Sequence, residues 1–486
     1  MHEIEVPINT IQFQKKNSSL AIEESPIVDS ATRRVGVTTM GCKVNSYESE
    51  LISESFKSEN WVTVPSSEEA DLYIVNTCTV TQEADRQARR EVRKVVRTNP
   101  DAMVVVTGCY AQMDAEACAD IPGVDLVVGN DRKLDIYGLL PDLEKENLPK
   151  VLVGDLNEHV SLPNELLAGY EAQTRAFIQI QQGCDQGCTF CIIHRARGPS
   201  RSLAPTLIKR QVERLAINGY PEIVICGVDL GSYGEDFHNA NTQYDLVSLV
   251  EDLLAINVPE NRNFRIRLSS IDPAHISERL MNLMASEERF CNHLHLSLQS
   301  GNTLILKRMK RRYTREDVYE KIKKLRSKVP DLVMSADVMV GFPTENEAQF
   351  IDTQQSLVDL DIAFPHIFSY SDRSGTPAAR IPQAKHVDTQ IKKNRSQRLR
   401  ETSKKLQEKL HHAQIGSQAW VLPEKITDNG LKARSEHYLT VNIDLGGDVT
   451  DPKKLLGRWV QVEYLQYESE QLFAKLIHPI TTEVNE

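Results

Sequence analysis

No stretch of this chain approaches the ~20 consecutive apolar residues that a membrane-spanning helix needs, so a helical membrane protein is not expected. The first 32 residues also lack a basic patch followed by an apolar stretch. They carry Glu3, Glu5, Glu23 and Glu24 instead, and read as a loosely ordered polar extension rather than a leader, which points to the cytoplasm. An even set of cysteines is missing too. There are nine, a poor disulfide framework in a chain with no leader. Excess positive charge is absent: the net charge is −11, so any nucleic acid would have to be met by local patches. Repeats and low-complexity tracts are lacking as well. What remains is an ordinary globular composition, 40% hydrophobic and 26% charged, over 486 residues, enough for several domains.

The pattern along the chain is α/β and falls into three blocks. Residues 33–160 alternate apolar runs (35–39, 72–76, 103–107, 124–128) with helical stretches, as a parallel-sheet α/β domain does. Three of these runs are closely followed by a cysteine: Cys42, Cys78 and Cys109. Ligands gather at the carboxyl ends of parallel strands, so thiols distant in sequence can share one sheet edge. Residues 170–412 contain six strand-like runs (177–181, 223–226, 264–269, 294–298, 333–340, 364–370), fewer than a closed barrel has, and predict an open six-stranded (β/α)6 partial TIM barrel ending in a charged helix. Residues 413–480 change to short β-like runs broken by the turns at 428–430 and 446–447, and predict a small antiparallel β-barrel.

The sharpest local signal is Cys184-Asp-Gln-Gly-Cys188-Thr-Phe-Cys191, directly after the first of the six runs. Three thiolates on one loop can hold three corners of an iron–sulfur cube and leave the fourth iron open for a substrate. A zinc site completed by His194 is the other reading. Cys118, Cys226 and Cys291 fit no ligand pattern and read as small apolar fillers.

This loop, with TTMGCKVNSYESE (38–50), IVNTCTVT (74–81), VVTGCYAQ (105–112), HLHLSLQSG (293–301), DVMVGFPTE (337–345) and FSYSDRSGTPAA (368–379), resembles the methylthiotransferase branch of the radical S-adenosylmethionine superfamily over nearly the whole chain. The resemblance implies two [4Fe-4S] clusters as cofactors, one on Cys184, Cys188 and Cys191 and an auxiliary one on Cys42, Cys78 and Cys109. All six cysteines then count as catalytic and metal-binding. It implies S-adenosyl-L-methionine held near Phe190, Gly227 and Asp229, and a C-terminal barrel of the TRAM type; Ser269 and Gln299, which end later strand-like runs, could hydrogen-bond its ribose or carboxylate. GCKVNSYESE is most similar to the group acting on N6-threonylcarbamoyladenosine at position 37 of tRNA, beside the anticodon. Isopentenyladenosine in tRNA, ribosomal protein S12, or a non-catalytic RNA-binding iron–sulfur protein are the alternatives. The implied partners are the tRNA anticodon loop and a reductant such as flavodoxin or ferredoxin. Three basic stripes are candidate RNA contacts: Arg86, Arg90, Arg93 and Arg97; Lys307, Arg308, Lys310, Arg311 and Arg312; and the positive residues from Lys392 to Lys405. In the C-terminal barrel Lys425, Lys432, Arg434 and Tyr438 are further candidates.

Overall fold

A computed structural model describes residues 32–57, 60–140, 150–158, 166–170, 173–237, 244–259, 262–446, 449 and 451–477. The polar extension expected over residues 1–32 lies, but for its last residue, outside the described residues. The chain divides into two compact units: residues 1–168, 177–211 and 371–379 form one, and residues 169–176, 212–370 and 380–486 the other. Among the described residues no helix is long and apolar enough to cross a membrane.

The first unit begins with β1 (Arg33–Thr39), α1 (Lys43–Ser55), β2 (Trp61–Val64), β3 (Leu72–Thr77), α2 (Gln82–Thr98), β4 (Met103–Gly108), α3 (Cys109–Met113), α4 (Ala115–Ala119), β5 (Leu126–Val128), α5 (Ile136–Leu139) and β6 (Lys150–Leu152). Its strands form one parallel sheet in the order β2-β1-β3-β4-β5-β6. The central strands are buried on both faces, which is why they read as unbroken apolar runs. Val35, Ile74 and Val105 pack with Ile52 of α1 and with Phe56, which caps its C-terminal end. Tyr73, Val75, Val104 and Val106 pack with Ala88, Val92 and Val95 of α2. Thr81 caps α2 through its hydroxyl, which accepts the Ala84 N–H. The same unit contains most of β7 (Arg175–Gln182), the cysteine loop, α6 (Ile193–Arg197), β8 (Arg201–Ser202), which pairs antiparallel with the end of β7, and the start of α7 (Pro205–Ile217).

The second unit continues with β9 (Glu222–Gly227), α8 (Leu246–Leu254), β10 (Arg265–Leu268), β11 (Ser270–Ile271), α9 (Glu278–Ser286), β12 (His293–Gln299), α10 (Thr303–Arg308), α11 (Arg315–Lys328), β13 (Val333–Val340), α12 (Glu347–Asp359), β14 (Ile362–Ser369) and α13 (Thr389–Gln414). The six runs expected of the open barrel are present as β7, β9, β10, β12, β13 and β14. Within this unit β9 and β10 pair in parallel, and β11-β12-β13-β14 form a parallel sheet.

The C-terminal strands β15 (Gln418–Thr427), β16 (Gly430–Ser435), β17 (Thr440–Asp444), β18 (Val460–Glu468) and β19 (Gln471–Leu476) close into a barrel in the order β15-β16-β17-β19-β18. It is not wholly antiparallel as expected, because β17 and β19 run parallel. The chain crosses the barrel through β18 before β19 returns beside β17, and closure leaves that one pair running the same way.

The barrel is fastened within its unit by the turn Glu436-His437-Tyr438. Tyr438, at φ +68°, stacks on His293 with ring centres 5.0 Å apart, and the guanidinium carbons of Arg175, Arg267 and Arg434 lie 5.3, 5.0 and 4.5 Å from its ring centre. Arg267 donates to the Glu436 carbonyl at 2.8 Å and to both carboxylate oxygens of Glu222, while Trp459 Nε1 donates to the Pro221 carbonyl at 2.8 Å. Tyr438 and Arg434, expected as RNA contacts, are thereby committed to intramolecular packing; Lys425 and Lys432 remain exposed.

Candidate functional site

In the first unit, β1, β3 and β4 are neighbours in the sheet, so their carboxyl ends deliver Cys42, Cys78 and Cys109 to one edge. Glycines let the three thiols approach. Gly41 has φ +92°, and a Cβ there would stand 2.8 Å from Cys78 Sγ. Gly108 has φ +95°, and a Cβ there would collide with the Thr77 carbonyl. Both conformations favour glycine and hold the following cysteine close to the next strand. Cys42 is exposed, Cys78 half-buried and Cys109 buried.

Burial and the neighbouring Cys109 and Cys42 push the Cys78 thiol up to about 12. Three thiols brought to one sheet edge, one of them strongly disfavoured as a lone thiolate, are the chemistry of a ligand set whose charge a metal or iron–sulfur centre would share. Cys118 and Cys291 are also pushed up to about 12, mainly by burial, and together with buried Cys226 have the character of inert fillers.

Behind the triad lies a buried polar network. Asn45 Nδ2 donates to the Met40 carbonyl at 2.7 Å and the Thr77 carbonyl at 3.0 Å, tying the Cys42 turn to the strand end before Cys78. Asn76 Nδ2 donates to the Asn45 carbonyl and to Ser49 Oγ. Arg197 spans the group. Its Nη1 and Nη2 donate to the two oxygens of Glu48 at 2.8 and 3.0 Å, Nη1 also reaches Gln182 Oε1 at 2.7 Å, Nη2 reaches Asn45 Oδ1, and Nε donates to Cys109 Sγ at 3.3 Å. Lys133 Nζ shares Glu48 at 2.5 Å. Burial works against charge on Glu48, but Arg197 and Lys133 outweigh it and hold the carboxyl below its ordinary range. Arg197 and Lys133 are each only 1% exposed.

The second cysteine group follows β7. The Cys184 N–H donates to the Gly198 carbonyl at 3.0 Å and the Cys191 N–H to the Cys188 carbonyl at 3.1 Å, so the loop is folded upon itself. Backbone N–H groups of Ile193 and Gln186 point at Cys191 Sγ (3.4 Å) and Cys184 Sγ (3.5 Å), donors that suit thiolates. Phe190 is half-buried between Cys188 and Cys191. Among the described residues no three His, Cys, Asp or Glu side chains close around a point that one metal ion could occupy.

Gly227, Asp229, Ser269 and Gln299 belong to the second unit. Gly227 ends β9. Asp229 accepts the Ser232 hydroxyl at 2.9 Å, with Arg312 at 3.8 Å and His275 at 3.9 Å, so its carboxylate is largely spent on its own turn. Ser269 is buried after β10. Gln299 is the residue best prepared for a ligand. It ends β12 at φ +65°, a strained position for a side chain, and its Oε1 is buried with no hydrogen-bond partner among the described residues.

A further cluster escaped sequence reasoning. On β12, β13 and β14, His295 Nδ1 meets Ser335 Oγ at 2.8 Å, His295 Nε2 lies 3.3 Å from Asp337, and His366 Nδ1 lies 2.9 Å from Asp337. Burial disfavours the Asp337 carboxylate, yet the two histidines hold it well below the usual range; the bond to Asp337 raises His366. The Arg197 network was also missed. Asn45, Glu48 and Ser49 look like an ordinary solvated face in sequence, and only the cysteine triad beside them marks them as interior.

The basic stripes fare differently. On α2, Arg86, Arg90, Arg93 and Arg97 are exposed along one side. On α13 Arg395 is buried against Glu345 (2.8 Å) and Arg398 pairs with Glu347 (2.5 Å), whereas Lys404 pairs with Glu470 (2.5 Å) at the surface and Lys393, Arg400 and Lys405 are exposed. Arg311 is half-buried against Asp272 at 2.6 Å.

Residues 34–129 match the Uncharacterized protein family UPF0004, and residues 178–357 match the Radical SAM superfamily. The chain is similar to the threonylcarbamoyladenosine tRNA methylthiotransferase MtaB of Rickettsia prowazekii, 38% identical over 85% of this chain and 91% of the relative, and to that of Bacillus subtilis, 37% identical over 75% and 79%. It is less similar to the tRNA-2-methylthio-N(6)-dimethylallyladenosine synthase of Geobacillus kaustophilus, 29% identical over 93% and 84%. Among solved structures, the radical S-adenosylmethionine methyltransferase TsrM of Kitasatospora setae aligns with a TM-score of 0.50 at 14% identity, over 72% of this chain and 75% of that one, a likeness of fold alone.

Proposed function

Because this chain belongs to the family of the MtaB-named tRNA methylthiotransferases, we propose that it adds a methylthio group to C2 of N6-threonylcarbamoyladenosine at position 37 of tRNA. The observation that carries the reading is the delivery of Cys42, Cys78 and Cys109 to three adjacent strand ends, in the same compact unit as the Cys184-Cys188-Cys191 loop. The choice of substrate follows the relatives: MtaB-named proteins reach 38% identity, the dimethylallyladenosine synthases 29–30%.

In this reading each cysteine triad holds one [4Fe-4S] cluster, and bound clusters with S-adenosylmethionine supply the electron, the radical and the methylthio group. The protein's own work is to hold and to exclude. Gln299 offers its unpartnered amide oxygen to the nucleoside part of S-adenosylmethionine, with Ser269 and the Gly227–Asp229 turn of the same unit as further contacts. The exposed arginines of α2 take tRNA phosphates. The working domains are then 33–160, 170–412 and 413–480, with flavodoxin or ferredoxin as reductant, in the cytoplasm. Nucleosides of total tRNA from a deletion strain test the reading by mass spectrometry. The 2-methylthio form should vanish and return with the wild-type gene but not with a Cys42→Ala copy; its persistence in the deletion strain would reject the substrate.

A further inference from the structure

Arg197 needs explaining. A guanidinium taken out of water is costly unless anions complete it, and here two buried cations, Arg197 and Lys133, face one carboxylate, Glu48. The nearby buried Asp131 is matched by Arg132 at 3.4 Å. The network therefore carries surplus positive charge beside Cys109, whose Sγ accepts the remaining Arg197 donor at 3.3 Å. A cube with three thiolates in its oxidised resting state bears about one net negative charge and gains another on reduction, so the surplus and the cluster are complementary. The geometry is fixed as well as the charge. Glu48 locks the guanidinium through two parallel bonds, and Asn45 and Gln182 take its other N–H groups. Asn130 adds a second tie, donating to the Ala196 carbonyl at 2.6 Å with its amide nitrogen 3.8 Å from Cys109 Sγ.

We propose that Arg197 is a positioning residue for the N-terminal cluster: it holds the Cys109 thiolate through an N–H···S bond and, with Lys133, furnishes the buried counter-charge that sets that cluster's reduction potential. Arg197 lies on the short helix that follows the Cys184-Cys188-Cys191 loop, so the segment carrying one triad places a ligand of the other. The proposal rests on the two-cluster reading above.

Anaerobically reconstituted full-length holoenzyme tests it by EPR-monitored redox titration. Arg197→Lys keeps the charge but loses the N–H···S bond, and should lower the potential of one cluster while leaving the other in place. Glu48→Gln removes the shared carboxylate charge, and should raise the potential of that same cluster. Unmoved potentials at wild-type iron content, or equal shifts in both clusters, overturn the proposal. Should Arg197→Lys not hold iron, Glu48→Gln decides by the same criterion. Pulsed EPR of reduced wild-type enzyme grown on isotope-labelled arginine gives a readout free of any substitution: a weak coupling to a guanidinium nitrogen is expected, and its absence overturns the proposal. The underlying reading fails separately, if the wild type binds far fewer than about eight irons per chain.

Discussion

Replacing Arg90, Arg93 and Arg97 with glutamine should flatten the salt dependence of tRNA binding. The row from Arg86 to Arg97 covers about 16 Å at ~1.5 Å per residue, room for three or more phosphates at about 3.4 Å per phosphate along one strand. Arg86 is paired with Glu83, so the other three are the stronger phosphate contacts. Glutamine matches arginine in helix propensity, and the buried face of Ala84, Ala88, Val92 and Val95 is untouched, so α2 should persist. Each lost contact removes about 0.7–0.9 from the slope of log K against log salt, or roughly 2–3 for the triple variant. Between about 50 and 200 mM salt, wild-type affinity should then fall about 20- to 40-fold more than that of the variant. Fluorescence anisotropy of labelled tRNA across that range reads the slopes directly. Identical slopes would refute the assignment of this helix to the phosphate backbone, whatever the absolute affinities.

Cys188→Ala should abolish 5′-deoxyadenosine formation, whereas Cys42→Ala should keep it and lose methylthio transfer; the two products are separable by chromatography. Gly41→Ala should cost roughly 1–2 kcal/mol for the left-handed backbone alone, with further loss from its clash with Cys78 Sγ, and should lower both the melting temperature and the iron content. His366 should titrate above an ordinary histidine, because Asp337 stabilises its charged form. That stabilisation is present at acidic pH and is lost as pH rises through the folded-state pKa; NMR should show the titration dropping to ordinary values in Asp337→Asn.

The cores of the fold were legible where burial is two-sided. β3 and β4 are apolar over most of their length, and α11 announces itself by the Thr314/Asp317 capping box. β2 escaped notice because four half-buried residues at a sheet edge carry little pattern, and β16 because Lys432 and Arg434 alternate with its inward side chains. The cysteines were legible because spacing and strand ends are local features. The Arg197–Glu48–Lys133 group was not, since its members lie up to 149 residues apart and each alone resembles a surface charge. Tyr438 shows the reverse error: an aromatic flanked by basic residues suggests RNA stacking, yet its arginine neighbours belong to the same chain.

The seat of that tyrosine bears on how such enzymes can be recombined. Val333 of β13 belongs to the same apolar core as Val421, Val441 and Leu472 of the terminal barrel, and Arg265 rests against both Trp420 and Trp459. Cutting the chain after α13 would strip the cover from Glu222 and Arg267 and flood a buried ion pair. A chimera that borrows a barrel from a relative must therefore bring matching residues at 175, 265, 267 and 293, or the graft will fold as a stranger to its host.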